Sequence, residues 1–516
     1  MIKMPGQKGR LAGTGYMLSR NHSLLVDTET TLSVDPTRSD KLRAWLPLIF
    51  AATAYLTLIT RMPSLLRDSD TYWHIVVGQW IIDHRAVPHV DLFSFTMRGA
   101  PWITSAWLSE VLYFVAFKLA GWPGPAILAA LSASVAVLLL TFLLQKRLPN
   151  VPVAILVSAG IAISTFHTLA RPHVLVFPLT VLWVNALLQA TEERRTPSIA
   201  CLPLITLWAN LHGSFTLGLA LIGPFAVEAL WTADKSARLT IAWQWLRFGL
   251  LALGASCLTP YGVESILVTF RILDLGATLS NIGEWRPLDF GTPNPVTIGL
   301  LAGAAYVLYS GLKLPPLRIA VLLALIYQTF AHIRYVDVLA LVAPFFIAGP
   351  LGQHLSWTPL QQGRKVIPPA RKAFVAAIAA LVIATGVIVA TTDHAPPRAP
   401  RVAVEKLKEL KANRVLNEYY FCGYLIFQGI PTFIDSRAEL YGSAFITRYL
   451  RAIWLEDVAD FVRLLDEYKI DATLLFPSTQ SVGLLDRLPE WERIYADDVA
   501  VVHVRRTHPE NAESLK

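Results

Sequence analysis

The stretch "RDSDTYWHIVVGQWI" (residues 67–81) sets two carboxylates, Asp68 and Asp70, one residue apart ahead of an aromatic-rich helix. A carboxylate so placed can take the proton of an attacking hydroxyl. Other stretches supply the complement. His74 follows in the same segment, and "HTLARPHV" brings Arg171 and His173. "ANLHGS" adds His212, "IGEWRPLDF" adds Glu284 and Arg286, and "AHIRYVD" adds His332 and Arg334. The planar fork of arginine suits a phosphate, which it can hold through two parallel hydrogen bonds. A carboxylate base facing arginines is the equipment for moving a group off a phosphate-linked donor.

Each residue also has a plainer reading. "DSDT" is a good helix start, with Ser69 or Asp70 accepting from the first orphan amides. Arg171, before Pro172, could snorkel to lipid headgroups. His212 beside Gly213 could make a hydrogen bond between packed spans, and Glu284 with Arg286 could be a surface pair of little energetic weight. Trp73, Val76, Trp80 and Ile81 read as the apolar side of an amphipathic helix rather than a sugar-stacking platform. What favours the chemical reading is a shared sidedness, and that depends on the elements that carry these residues.

Those elements are spans. The chain has 516 residues, 54% of them hydrophobic and 16% charged, with a mean hydropathy of +0.47. A soluble domain carries about 25% charged residues. Apolar runs recur at 45–61, 125–145, 151–166, 174–191, 199–211, 214–231, 243–258, 295–311, 317–331, 335–349 and 373–391. The expectation is a polytopic α-helical membrane protein of about eleven spans, thirteen at most. Alternate connections hold the positive charge: Lys146 with Arg147, Arg194 with Arg195, Lys235 with Arg238, Lys313 with Arg318, and "GRKVIPPARK" with Arg364, Lys365, Arg371 and Lys372. These are assigned inside, which also accounts for the net charge of +8 without any nucleic-acid partner.

With that threading, residues 1–42 form a basic cytoplasmic tail without the features of a cleaved signal peptide. Residues 43–391 form the membrane domain, and 62–124 are its large outer loop. "SAWLSEVLYFVAFKLAG" (105–121) is apolar enough to span, but a span there would reverse every later basic connection. It is assigned to the outer loop as a helix at the interface. Residues 392–516 are expected to form a soluble periplasmic α/β domain. Its strands would fall at "RVLNEY", "TFIDS", "DATLLFP" and "VAVVHVRR", and its helices at "AFITRYLRAIW" and "EDVADFVRLLDEY". The location implied is a bacterial inner membrane, multi-pass, with a cytoplasmic N-terminus. Asp68, Asp70 and the histidines, arginines and Glu284 named above then all lie at the outer face. Three well-separated cysteines, Cys201, Cys257 and Cys422, give neither a disulfide framework nor a metal spacing.

A first span followed by an outer loop that opens on an acidic motif and an aromatic helix resembles the C-type integral-membrane glycosyltransferases. That superfamily includes oligosaccharyltransferase catalytic subunits, protein O-mannosyltransferases and aminoarabinose transferases. The wider set of motifs resembles a largely uncharacterised bacterial subfamily: "DSDTYWHIVVGQWI", "VPHVDLFSFTMRGAPWITSAWLSE", "ARPHVLVFPL", "LWANLHGSFTLGL", "TPYGVES", "IGEWRPLDF" and "NEYYFCGYLIFQGIPTFIDSRAELYG". The resemblance implies a glycosyltransferase that uses a polyprenyl-phosphate-linked sugar. It puts the first-loop acid on Asp70, with Asp68 second, acting in acceptor activation or metal binding. It also implies Arg171, Arg286 or Arg334 as phosphate ligands. The second outer loop carries acids in oligosaccharyltransferases, whereas "HTLARPHV" has none. A divalent metal on Asp68 and Asp70 therefore stays open, since a hard cation wants several oxygen ligands. The acceptor, whether protein, lipid or polysaccharide, is not specified. Two other readings stand beside the enzyme: a non-catalytic scaffold in lipid-linked glycan assembly, and a transporter or flippase. The last is disfavoured because the chain shows no internal repeat and no charge at mid-membrane depth.

Overall fold

The computed structural model describes residues 38–506 other than 166, 282, 357–370, 393 and 395. The N-terminal tail up to residue 37, Arg364, Lys365 and residues 507–516 lie outside the described residues.

A helix covers each apolar run marked in the sequence, from Arg38–Ile59 and Pro123–Gln145 through Val336–His354 to Arg371–Thr391. Five of the helices are long and apolar enough to cross a membrane by length and composition, and four apolar ones are shorter. Arg371–Thr391 makes the case for a lipid surround: it is almost wholly apolar in composition and has no buried residue. A helix greasy all round and unburied in protein is stable only in a hydrocarbon solvent.

Ion pairs fix which connections share an end of this bundle. Arg147 binds Glu192 at 3.0 Å, Glu192 lies 3.8 Å from Arg318, and Arg318 binds Glu228 at 2.7 Å. These side chains belong to or adjoin four of the basic connections, so those four connections lie together.

The segment 105–121 folds as the helix Trp107–Ala120, packed on Asp70–His84 and on Pro123–Gln145. Glycine permits both contacts. A Cβ on Gly78 would stand 2.0 Å from the Glu110 carbonyl, and one on Gly124 would stand 2.0 Å from that of Ala116.

The C-terminal part carries a four-stranded sheet of order β1-β2-β4-β3. β1 is Val415–Asn417 and β2 is Ala472–Leu475, paired parallel. β3 is Trp491–Ala496 and β4 is Val501–Arg505; β4 runs antiparallel to both β2 and β3. "TFIDS" is not a strand of this sheet, contrary to expectation. The Asn417 side chain takes the place of a strand neighbour, accepting from Phe433 N at 2.8 Å and donating to the Ile434 carbonyl at 2.9 Å. β3 was not anticipated, because Glu492 and Arg493 break its alternation at a solvent-facing edge.

The sheet unit is fastened to the outer loop. Phe95 N donates to the Thr432 carbonyl at 3.0 Å, and Thr432 N donates to that of Phe93 at 3.1 Å. Beneath them lies a buried triad in which Arg437 meets Asp91 and Asp435, both at 2.6 Å. The helix Cys422–Phe427 rests directly on the start of Asp70–His84, where a Cβ on Gly423 would stand 1.8 Å from the Ser69 carbonyl.

Candidate functional site

Arg171 is the hub of the outer-face cluster, and its position follows from local chemistry. Preceding a proline, it is extended (φ −126°, ψ 158°), as the steric demand of the pyrrolidine ring requires. Its neighbour Ala170 donates to the Leu65 carbonyl at 2.9 Å and accepts from the Thr71 hydroxyl at 3.0 Å. Tyr113 donates to the Arg171 carbonyl at 2.9 Å. The "ARPH" turn is thereby clamped against the acidic motif.

The Arg171 guanidinium pairs with Asp68 at 3.2 Å and also with Asp70 and Glu284. Glu284 is shared, since Arg334 binds its other oxygen at 3.1 Å while lying 4.3 Å above the Trp285 ring. Five residues named from the sequence, spread from position 68 to 334, thus meet in one cluster of three carboxylates and two arginines. Its formal charge is one negative.

The two aspartates are not equivalent. Asp70 is 7% exposed and held by Arg171. Asp68 accepts from Asp70 N at 2.8 Å, so it is Asp68, not Ser69 or Asp70, that supplies the helix-start hydrogen bond. Asp68 also lines a cleft of about 750 Å³ with Arg67, Tyr72, Arg398, Tyr420 and Phe476. Burial pushes its carboxyl above the ordinary carboxylate range, with Arg171 working against the shift. Burial would raise Glu284 too, but Arg171 and Arg334 overcome it and hold that carboxyl well below its usual range.

The histidines surround this cluster in distinct roles. His212 Nδ1 accepts from Ser214 N at 3.1 Å, which leaves the ring hydrogen on Nε2. Burial, then the Arg334 charge, lower its pKa to about 3, so it is neutral at physiological pH. His173 lies 6.1 Å from His212, ring to ring, and 3.8 Å from the Asp337 carboxylate. His74 binds Glu110 at 3.1 Å, and Thr104 donates to the same oxygen at 2.7 Å. His332 is turned to the backbone, its Nδ1 2.9 Å from the Trp285 carbonyl. Arg286 is exposed and forms no ion pair among the described residues. Glu110 was missed from the sequence, where it stands as a lone acid in an apolar run. That isolation is the signal that could have marked it.

The cluster does not fit a divalent cation as arranged. Such an ion needs several oxygen ligands converging on one point, and the Arg171 guanidinium fills the point on which these three carboxylates converge. No group of three potential metal ligands forms among the described residues.

No family model and no curated protein matches this chain. Among solved structures, it is similar to the archaeal oligosaccharyltransferase AglB from Archaeoglobus fulgidus in complex with an inhibitory peptide and a dolichol-phosphate. The TM-score is 0.49 and the identity 12%, over 82% of this chain and 69% of that one. The apo form of the Archaeoglobus fulgidus oligosaccharyltransferase gives a TM-score of 0.48 and 11% identity, over 84% and 70%.

Proposed function

We propose that the chain is a membrane glycosyltransferase that moves a sugar from a polyprenyl-phosphate-linked donor to an acceptor on the periplasmic face of a bacterial inner membrane. The observation that carries this reading is the pairing of a carboxylate open to a large cleft, Asp68, with a rigid set of arginines at the same end of an apolar helix bundle. Asp68, rather than Asp70, is the base. It accepts the proton of the acceptor hydroxyl, whose oxygen bonds to the anomeric carbon of the donor sugar. The bond from that carbon to the phosphate oxygen breaks, and its electron pair leaves with the polyprenyl phosphate.

Arg171 holds Asp68 in place and tempers its charge, while Asp70 and Glu284 keep Arg171 centred. Arg334 and Arg286, which has no ion pair among the described residues, are the cations available to the departing phosphate, and neutral His212 offers Nε2–H as a donor. A divalent ion has no assigned part. The test uses membranes holding the full chain and a radiolabelled polyprenyl-phosphate-sugar pool. Label should pass from the lipid to a water-soluble or protein-bound product, and Asp68→Asn should abolish that passage. Full transfer by Asp68→Asn would overturn the assignment.

A further inference from the structure

The cleft beside Asp68 has a charge pattern that the transfer chemistry does not use. Its mouth lies between the short helix Met62–Leu65, the start of Asp70–His84, residues 397–400 and the Tyr419–Phe421 turn. Arg67 and Arg398 stand on its walls, both exposed, and neither forms an ion pair among the described residues. Within the charged cluster itself, Arg171 is shared among three carboxylates and Arg334 is paired with Glu284. Two guanidinium groups against the single Asp68 carboxylate, to which Arg67 is electrostatically coupled, leave the recess lining with an excess of positive charge that suits an entering anion.

The remaining walls are aromatic. Tyr420 is 48% exposed beside Tyr424 and Phe476, and its hydroxyl would lie 2.9 Å from a Cβ placed on Gly283, next to Glu284. One ring therefore spans from the cleft to the charged cluster. Flat rings with polar edges flanking a carboxylate and two forks suit a sugar ring bearing a negative group.

We infer that this cleft is the acceptor site and that the acceptor is an acidic saccharide, with a carboxylate or phosphate on or beside the unit that is glycosylated. The inference rests on Asp68 as the base, because a base must touch the acceptor. Arg67 and Arg398 bind the anionic group, Tyr420 covers the sugar face, and the free hydroxyl reaches Asp68.

The test is calorimetric titration of the detergent-solubilised full chain with trigalacturonate, a phosphorylated maltotriose, maltotriose and a tri-aspartate peptide. One or both acidic saccharides should bind at least about tenfold more tightly than maltotriose, a difference expected of a charge-assisted contact. The arm that binds identifies the anion as carboxylate or phosphate. The preference should fade at high salt and vanish in Arg67→Gln/Arg398→Gln, with maltotriose binding and the melting temperature unchanged. Equal binding of neutral and acidic saccharides, a preference that survives the double substitution, or equal binding of tri-aspartate would overturn the inference. Asp68→Asn separates the two claims. If that variant binds the acidic saccharide but still transfers sugar, the base assignment fails and the acidic site stands. If transfer requires Asp68 but no acidic saccharide is preferred, only the acidic site fails.

Discussion

Arg171 touches three carboxylates that differ in exposure and in their other partners. Asp70 is enclosed, Glu284 is half-buried but held by two arginines, and Asp68 keeps one side on the cleft. Replacing Asp68 by Asn should lower transfer by about 10²–10⁴-fold, the usual yield of a positioned base, and Asp70→Asn should cost less. Because burial raises Asp68, activity should fall as pH drops through a value above its ordinary 3.8, and the acid limb of kcat/KM against pH measures this. His212 has the opposite sense. Its folded pKa is lowered to about 3 from 6.5, so the unfolded chain takes the proton first. Stability is present above about pH 6.5 and declines as pH falls toward 3. Melting temperatures across that window should show the decline, with a smaller slope in His212→Gln. Removing the hub is costlier: Arg171→Ala leaves carboxylates unpaired and should destabilise by about 3–5 kcal/mol, read by thermal unfolding. The sequence marked all five residues of the cluster but not their pairing. Arg171, Glu284 and Arg334 are separated by more than fifty positions on average, and no local pattern reports such contacts. The sequence ranked Asp70 before Asp68; that Asp68 lines the cleft is a tertiary property no local pattern reports.

Close backbone approach at glycine is what lets separate elements form one outer face. Gly423 lies against the Ser69 carbonyl, and any Cβ there would stand 1.8 Å from it. Gly423→Ala should force the helix Cys422–Phe427 off the acidic motif at a cost of about 1–3 kcal/mol, with faster proteolysis of residues 398–506 as the readout. The buried triad of Arg437, Asp91 and Asp435 gives a structural part to the "FIDSR" stretch of the motif "NEYYFCGYLIFQGIPTFIDSRAELYG". The guanidinium lies 4.6 Å above the Trp102 ring and 5.3 Å above that of Phe93, joining the outer loop to the sheet unit. Asp435→Asn should loosen the same junction and lower activity without touching the cleft. The helices were legible because hydrophobic runs report them directly. "TFIDS" was misread because its backbone is satisfied by the Asn417 side chain and by single bridges to Ser94 and Val415 rather than by a continuous ladder. β3 was passed over because an edge strand tolerates charges.

Charge separates the two ends of the molecule. Arg147, Glu192, Glu228 and Arg318 knit one end, while Arg171 and its carboxylates form the other. A cysteine placed beside Asp68 should react with an impermeant maleimide in intact cells, and one beside Arg194 should react only after permeabilisation. Reversed labelling would contradict the proposed orientation. The sequence could not reveal the cleft, because its walls come from residues 63–72, 397–400, 420–424 and 476, which only the folded chain brings together. The most direct test of sugar transfer through Asp68 is lipid extraction from a deletion strain complemented with wild type or with Asp68→Asn. The account predicts a polyprenyl-linked sugar that accumulates in the deletion strain, is cleared by wild type and persists with Asp68→Asn. Clearance by Asp68→Asn, or no accumulation on deletion, would contradict it.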